Sequence, residues 1–254
     1  MADPQVSVVM SCYNAEQTVE KAIESILNQS FKAFEFIIID DASSDRTSDI
    51  LLQYQKLDDR ITLLTNEPNC GLSYSLNRGI KHAKTPLIAR MDADDVAYSK
   101  RLQVQYDFMT THKEVDLLGA AVRYVDEVGN PIKIVHLPSD DNAIKARVFK
   151  KTLVFHPTIM IKKDVYEKHG YYDPKLRWAE DADLWYRLYD RIVFHNLQDT
   201  LLDYTLKPKI NRKILLNNLR VKWINLGRRN KRFKYLPILI MEIFTLFLRS
   251  VKNY

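Results

Sequence analysis

Cysteine is scarce in this chain, with Cys12 and Cys70 the only two among 254 residues. Two thiols cannot form a disulfide framework, and no Cys/His spacing marks a zinc site, so an apolar core has to hold the fold. A reducing, cytoplasmic compartment is the expectation. The opening residues MADPQ lack a basic stretch leading into an apolar one, so no secretory signal is expected. No Gly-x-Gly-x-x-Gly follows a strand-like run, which disfavours a dinucleotide-binding oxidoreductase. The apolar run at residues 236–248 has 13 residues. As a helix it would span about 20 Å, too little for a hydrocarbon core of about 30 Å. No period of roughly 20–50 residues recurs, and no low-complexity stretch appears.

What is present is an ordinary globular composition, 46% hydrophobic and 28% charged, in a chain long enough for one large α/β domain or a domain with an appendage. The net charge of +6 conceals a division. Residues 205–254 carry 13 Lys and Arg against the single acid Glu242, a net +12, which leaves residues 1–204 at −6. An acidic body and a basic tail imply two tasks.

Val6–Cys12 and Phe34–Asp40 are short β-branched runs bounded by polar turns. Between them, residues 15–29 space Val19, Ala22, Ile23, Ile26 and Leu27 at helical intervals. A helix at about 45–55, a strand at Ile61–Thr65, a helix at 71–83 and a strand at 86–91 continue the alternation. Strands that read as near-continuous apolar runs between helices predict a parallel sheet covered on both faces. After Asp95 the rhythm changes. A helix at 99–112, a hairpin of strands at 115–126 and 132–136, a helix at 140–150, a strand at 158–162 and a helix at 180–189 are expected. The division predicted is residues 1–98, residues 99–204 and a basic helical extension at 205–254.

Ligands of open α/β sheets bind at the carboxyl ends of the strands. Three polar groups follow apolar strands here: Tyr13-Asn14, Asp40-Asp41 and Asp92-Ala93-Asp94-Asp95. Two aspartates separated by one small residue can direct both carboxylates at one hard cation, magnesium or manganese. A solvated acidic turn is the bland alternative for such a pair taken alone. Ser44 or Asp45 can cap the next helix, but that leaves Asp40-Asp41 unexplained; a carboxylate there can accept from a pyrimidine imide or a ribose hydroxyl. Glu180, Asp181 and Asp183 open a helix, where the dipole holds a carboxylate ionised and suits it to act as a general base. Trp178 and Trp185 beside them are core residues or a platform for a sugar ring.

Taken together, residues 6–14, 34–47, 69–79, 91–95, 156–163 and 180–187 resemble the family 2 inverting glycosyltransferases with the GT-A fold, in particular bacterial enzymes of lipopolysaccharide, lipooligosaccharide and capsule synthesis. The resemblance covers residues 5–206. It implies a Rossmann-like nucleotide-binding sheet in residues 1–98, an acceptor-binding half in 99–204, and a hexosyl or N-acetylhexosaminyl transfer from a nucleotide-sugar, a UDP-sugar by preference. It places Ser11, Tyr13 and Asp41 around the uridine, Asp92 near the ribose or the metal, and Asp94 on manganese or magnesium. It makes Asp181 the catalytic base. His156 falls where relatives carry a histidine facing the cleft, with Trp178, Glu180 and Asp183 as further cleft candidates. Some relatives carry an arginine near the position of Gly71; Arg78 or Arg90 is the expected substitute on the nucleotide.

In the tail, residues 211–226 place Leu216, Leu219, Trp223 and Leu226 at helical spacing, with Gly227 expected to end the helix. Glu242, Thr245 and Arg249 form a narrow polar stripe on the apolar run that follows. Such a segment suits a helix lying in an anionic membrane interface, at the inner face of the cell membrane and near a lipid-linked or glycolipid acceptor. Its alternatives are packing onto the domain or a contact in a homodimer. Two other functions would leave different marks in the sequence. A sugar-nucleotide-forming nucleotidyltransferase would need a Gly-rich loop where Cys12-Tyr13-Asn14-Ala15 stands. A nucleic-acid-binding module would use the basic tail, but the acidic body argues against nucleic acid as a partner.

Overall fold

The computed structural model describes residues 3–206, 212–229 and 234–241. The chain opens with the alternation that its apolar runs predict: β1 (Val6–Cys12), α1 (Val19–Leu27), β2 (Phe34–Asp40), α2 (Thr47–Leu57), β3 (Ile61–Thr65), α3 (Leu72–His82) and β4 (Leu87–Asp92). These four strands pair in parallel in the order β3-β2-β1-β4. Successive side chains of a strand point to opposite faces. Val8, Met10, Phe36 and Ile38 therefore enter one core with α1, while Val9, Ile37 and Ile39 enter the other with Leu76 and Ile80 of α3. Gly79 lets α3 lie close to the sheet, since a Cβ there would stand 2.6 Å from Val9 and 2.7 Å from Ile39.

Beyond β4 the sheet stops being parallel. After β5 (Val96–Ala97) and α4 (Arg101–Thr111) come β6 (Leu117–Val125), β7 (Pro131–Val135) and α5 (Asp141–Lys145). Then follow β8 (Met160–Lys162), α6 (Lys163–His169), α7 (Glu180–Leu188), β9 (Phe194–Thr205) and α8 (Arg212–Arg228). The sheet continues from β4 as β8-β6-β9-β5, with β7 hairpinned onto β6. β8 runs antiparallel to β4 and β6, whereas β6 and β9 are parallel. The parallel sheet expected of the first half is formed by β1 to β4, and the second half extends it into a mixed sheet that includes the expected hairpin.

Three local expectations also change. The helix expected over 140–150 ends at Lys145, because Phe149 takes a left-handed conformation (φ 62°) and buries its ring against Tyr186, Tyr189 and Tyr235. β9 and α6 were not expected. Gly227 does not end the tail helix, which runs on to Arg228. Glycine costs a helix interior about 1 kcal/mol, and packing against α7 offsets this here: Leu226 is fully buried and Arg229 pairs with Asp190. A further helical stretch covers 234–241. The polar stripe at Glu242, Thr245 and Arg249 lies outside the described residues.

Candidate active site

The centre of the site is the end of β4. In a strand, residues two apart share a face, so Arg90 and Asp92 point the same way. Arg90 Nη1 donates to Asp92 Oδ2 at 2.5 Å, and Nη2 closes a second contact with Oδ1. Arg90 is buried, so its guanidinium supports Asp92 from beneath. The chain then turns, and oxygens of Asp92, Asp94 and Asp95 lie within 4.8 Å of one another. β9 fixes this turn from the other half of the sheet. Thr205 N–H donates to Asp95 Oδ1 at 2.9 Å, and its hydroxyl donates to the Asp94 carbonyl at 2.5 Å. The remaining Asp95 oxygen is buried without a hydrogen-bond partner. A close group of hard oxygens, one of them unsatisfied, fits a magnesium or manganese ion.

On the far side of β4, β1 and β2 deliver the residues expected around the nucleotide. Tyr13 is exposed beyond β1 and Ser11 is half-buried near its end. Asp40 is structural: its carboxylate accepts from Ser43 N–H and the Ser48 hydroxyl. Asp45, not Ser44, caps the start of α2 through Thr47 N–H at 3.0 Å. Asp41 accepts from the Asn66 amide at 2.6 Å, Cys70 N–H at 2.9 Å and Gly71 N–H at 2.7 Å. A carboxylate offers about four lone-pair positions, so one remains for a ligand. Of the two arginines expected to serve the nucleotide, Arg78 bonds the Thr65 carbonyl and Asn66, and Arg90 is committed to Asp92. The guanidinium that approaches Gly71 is Arg177, with Nη1 3.2 Å from Asn69 Oδ1 and 4.0 Å from the position of a Gly71 Cβ.

The start of α7 supplies the remaining carboxylates. Ala179 enters the helix at φ 63°, ψ 25°, a left-handed conformation that costs a non-glycine residue about 1–3 kcal/mol and concentrates at functional sites. Glu180 is buried; burial, and next the charge of Asp181, push its pKa up to about 8. Burial also raises Asp181, but the Ala182 N–H bond at 2.7 Å and the Arg90 charge oppose the rise. Burial thus shifts both carboxyls towards the protonated form, Glu180 to about 8, while a backbone hydrogen bond and the Arg90 charge oppose the shift in each. His156 is held neutral by burial and by Arg90. It shares a 2.7 Å hydrogen bond with the Tyr172 hydroxyl and stands 3.9 Å from Glu180. Asp183 turns away: it accepts from Arg187 at 2.8 Å and from Asn225 of α8 at 2.9 Å, joining α7 to the tail helix. Trp185 packs edge-on to His156 in the core.

Asp92, Asp94, Asp95, His156, Trp178, Glu180 and Asp181 line one cleft of about 950 Å³. Ser11, Tyr13, Asp41 and Asp183 do not line it. Sequence reasoning placed Asp95 in the acidic turn but gave it no role, and it missed Arg177 and Thr205, together with the Lys150-Lys151 loop and Lys222 of α8, which also border the cleft. The apolar Leu197, Leu201 and Leu202 could have disclosed β9, and through it Thr205. The lysines carry no sequence signal, since surface cations are common.

Residues 7–170 match the glycosyl transferase family 2 domain. The O-antigen biosynthesis glycosyltransferase WbnJ of Escherichia coli is 36% identical over 217 residues, covering 83% of each chain. Among solved structures, S. aureus TarS 1–349 in complex with UDP-GlcNAc superposes with a TM-score of 0.68 at 20% identity, over 87% of this chain and 66% of that one. This chain thus spans just under two thirds of the TarS fragment. The mannosyltransferase PcManGT from Pyrobaculum calidifontis, in complex with GDP-Man and Mn2+, gives a TM-score of 0.69 at 16% identity, over 95% of this chain and 70% of that one. The two structures identify the fold as GT-A, and the sequence matches carry the rest: this chain is a glycosyltransferase and belongs to glycosyl transferase family 2.

Proposed function

We propose that the chain transfers a hexosyl or N-acetylhexosaminyl unit, with inversion, from a UDP-sugar to a hydroxyl of a lipid-linked or glycolipid acceptor in surface polysaccharide synthesis. The observation that carries this reading is one cleft bordered both by Asp92, Asp94 and Asp95 at the end of β4 and by Asp181 at the start of α7. Asp181, beside Glu180 at the start of α7, takes the proton of the acceptor hydroxyl as that oxygen attacks the anomeric carbon. The bond from that carbon to the diphosphate breaks on the opposite face, and its electron pair leaves with the nucleotide. Asp94, with Asp92 and Asp95 beside it, would hold manganese or magnesium, whose charge offsets that developing on the leaving diphosphate. Arg90 keeps Asp92 oriented for the donor. Asp41, Tyr13 and Ser11 lie where a uridine would rest, with the free lone pair of Asp41 toward the uracil.

The choice of UDP is supported by the TarS complex and opposed by the GDP-Man of PcManGT. Screening UDP- and GDP-sugars with manganese, by nucleotide release and by protection against thermal unfolding, decides between them. UDP-sugars are expected to be turned over; turnover of GDP-sugars alone would overturn the uracil assignment.

Residues 1–204 act as the transferase and 205–254 as the part that meets the membrane. Leu216, Trp223, Leu236, Ile240 and Met241 are exposed apolar residues on the described helices of the tail, among cations that suit an anionic surface. No helix among the described residues is long and apolar enough to cross a membrane. We place its action peripherally, at the cytoplasmic face, on the strength of those exposed apolar residues and cations.

A further inference from the structure

We infer that Lys150 and Lys151 form a cationic rim that holds a phosphate or diphosphate group of a lipid acceptor; this rests on the transferase reading above. Both border the cleft that contains Asp94 and Asp181, as does the buried Lys222, yet none of the three belongs to the nucleotide half. The strands that carry Ser11, Tyr13 and Asp41 lie on one side of β4 in the sheet, and β8, β6 and β9 on the other. Lys150 and Lys151 precede β8, and Lys222 stands on α8, which packs against α7. The rim therefore faces the part of the cleft left to the second substrate.

Backbone strain points to the same loop. Four non-glycine residues among those described have positive φ: Asn14, Ala42, Phe149 and Ala179. Three of them directly follow or precede a proposed site residue, namely Tyr13, Asp41 and Glu180. The fourth, Phe149, directly precedes Lys150. Such a conformation persists only where the surroundings enforce it, and three aromatic rings clamp Phe149. The clamp fixes the exposed lysine pair at the mouth of the cleft. Neither lysine side chain has a recorded ion-pair or hydrogen-bond partner among the described residues, although carboxylates line the same cleft.

The ligand class follows from what adjoins the rim. Leu219 and Met241 border the cleft beside Lys222, and α8 carries the exposed Leu216 and Trp223 outward. A cationic mouth continuous with an apolar face matches an amphiphile whose anionic group joins a sugar to a lipid. Ammonium groups hold phosphate oxygens through charge-assisted hydrogen bonds.

The test is calorimetric titration of farnesyl diphosphate, farnesol and inorganic pyrophosphate into the full chain saturated with magnesium and UDP. Farnesyl diphosphate is expected to bind, with farnesol and pyrophosphate each weaker by about tenfold or more. Lys150→Ala with Lys151→Ala should weaken farnesyl diphosphate by about tenfold or more while UDP affinity stays within about twofold. Lys150→Arg with Lys151→Arg should retain both ligands, which excludes a merely structural loss. Unchanged farnesyl diphosphate binding in the alanine variant overturns the inference, and so does a loss confined to UDP, which would assign the lysines to the donor. A chain that binds UDP but not farnesyl diphosphate overturns the rim and leaves the transferase reading standing. A chain that binds no nucleotide-sugar overturns that reading, and the rim with it.

Discussion

Replacing Glu180 with glutamine should stabilise the protein at neutral pH while leaving it unchanged in acid. Glu180 has its pKa pushed from 4.5 to about 8, first by burial and then by Asp181. Between those values the folded chain keeps a proton that the unfolded chain has released. The folded state then binds more protons, so stability falls as pH rises from about 4.5 to about 8. Each pKa unit corresponds to about 1.4 kcal/mol, so the loss accumulated by pH 7 is at most about 3 kcal/mol. Glutamine reproduces the shape of the neutral acid and does not titrate. Glu180→Gln should therefore match the parent near pH 4 and exceed it increasingly above pH 5. For a chain of this size about 1 kcal/mol moves Tm by about 2–4 °C, which predicts a gain of up to about 10 °C at pH 7. Calorimetry of the metal-free protein at several pH values measures this. Stability curves that stay parallel from pH 4 to pH 8 would show that Glu180 is ionised in the folded chain, and the raised pKa of Glu180 would be refuted.

Asp181→Asn should keep UDP-sugar affinity and lower transfer by about 100-fold or more; single-turnover transfer at a near-wild-type rate would move the base elsewhere. Because the Asp181 pKa is raised, activity of the parent should fall with acidification through a limb lying above the ordinary aspartate range, and that limb should change in the variant. Asp183→Asn should instead lower Tm with a smaller effect on transfer, since its carboxylate joins Arg187 to Asn225; a transfer defect as deep as that of Asp181→Asn would contradict this division. EDTA should abolish turnover, with manganese or magnesium restoring it, and Asp94→Asn should lose thermal stabilisation by manganese while remaining folded; full activity in EDTA would sink the metal. Leu216→Ser with Ile240→Ser should weaken sedimentation with anionic vesicles by about tenfold or more without changing UDP affinity, and unaltered sedimentation would argue that this face does not meet the membrane.

The nucleotide half was legible because its central strands β1 and β2 are buried on both faces, so that composition alone marks them. Val6–Cys12, Phe34–Asp40 and Ile61–Thr65 have the bounds that the apolar runs predict. The second half obeys rules that one sequence expresses weakly. β9 mixes buried leucines with exposed polar residues, and its pairing with β6 shifts register twice, near Ala120 and Ala121. A bulge interrupts the alternation by which a strand is recognised. Missing β9 also hid Thr205, whose two hydrogen bonds shape the metal turn.

Two polar residues hold partners that their spacing in the sequence could have named. Arg90 and Asp92 are two apart on a strand, and Asp183 and Arg187 four apart on a helix, so each pair shares a face by geometry alone. A cation opposed by its own carboxylate at such spacing is committed to it before any ligand arrives. By that argument Arg90 and Asp183 are engaged before any ligand arrives, although Arg90 still borders the cleft, and Asp181 has no such partner on α7 at either spacing. Among the described residues its side chain accepts from the Ala182 N–H next to it, and no cation stands one helical turn away, because Trp185 occupies that place. A base must remain free to take a proton, and Asp181, which borders the cleft and is not held by a cation of its own helix as Asp183 is by Arg187, suits that role better than Asp183.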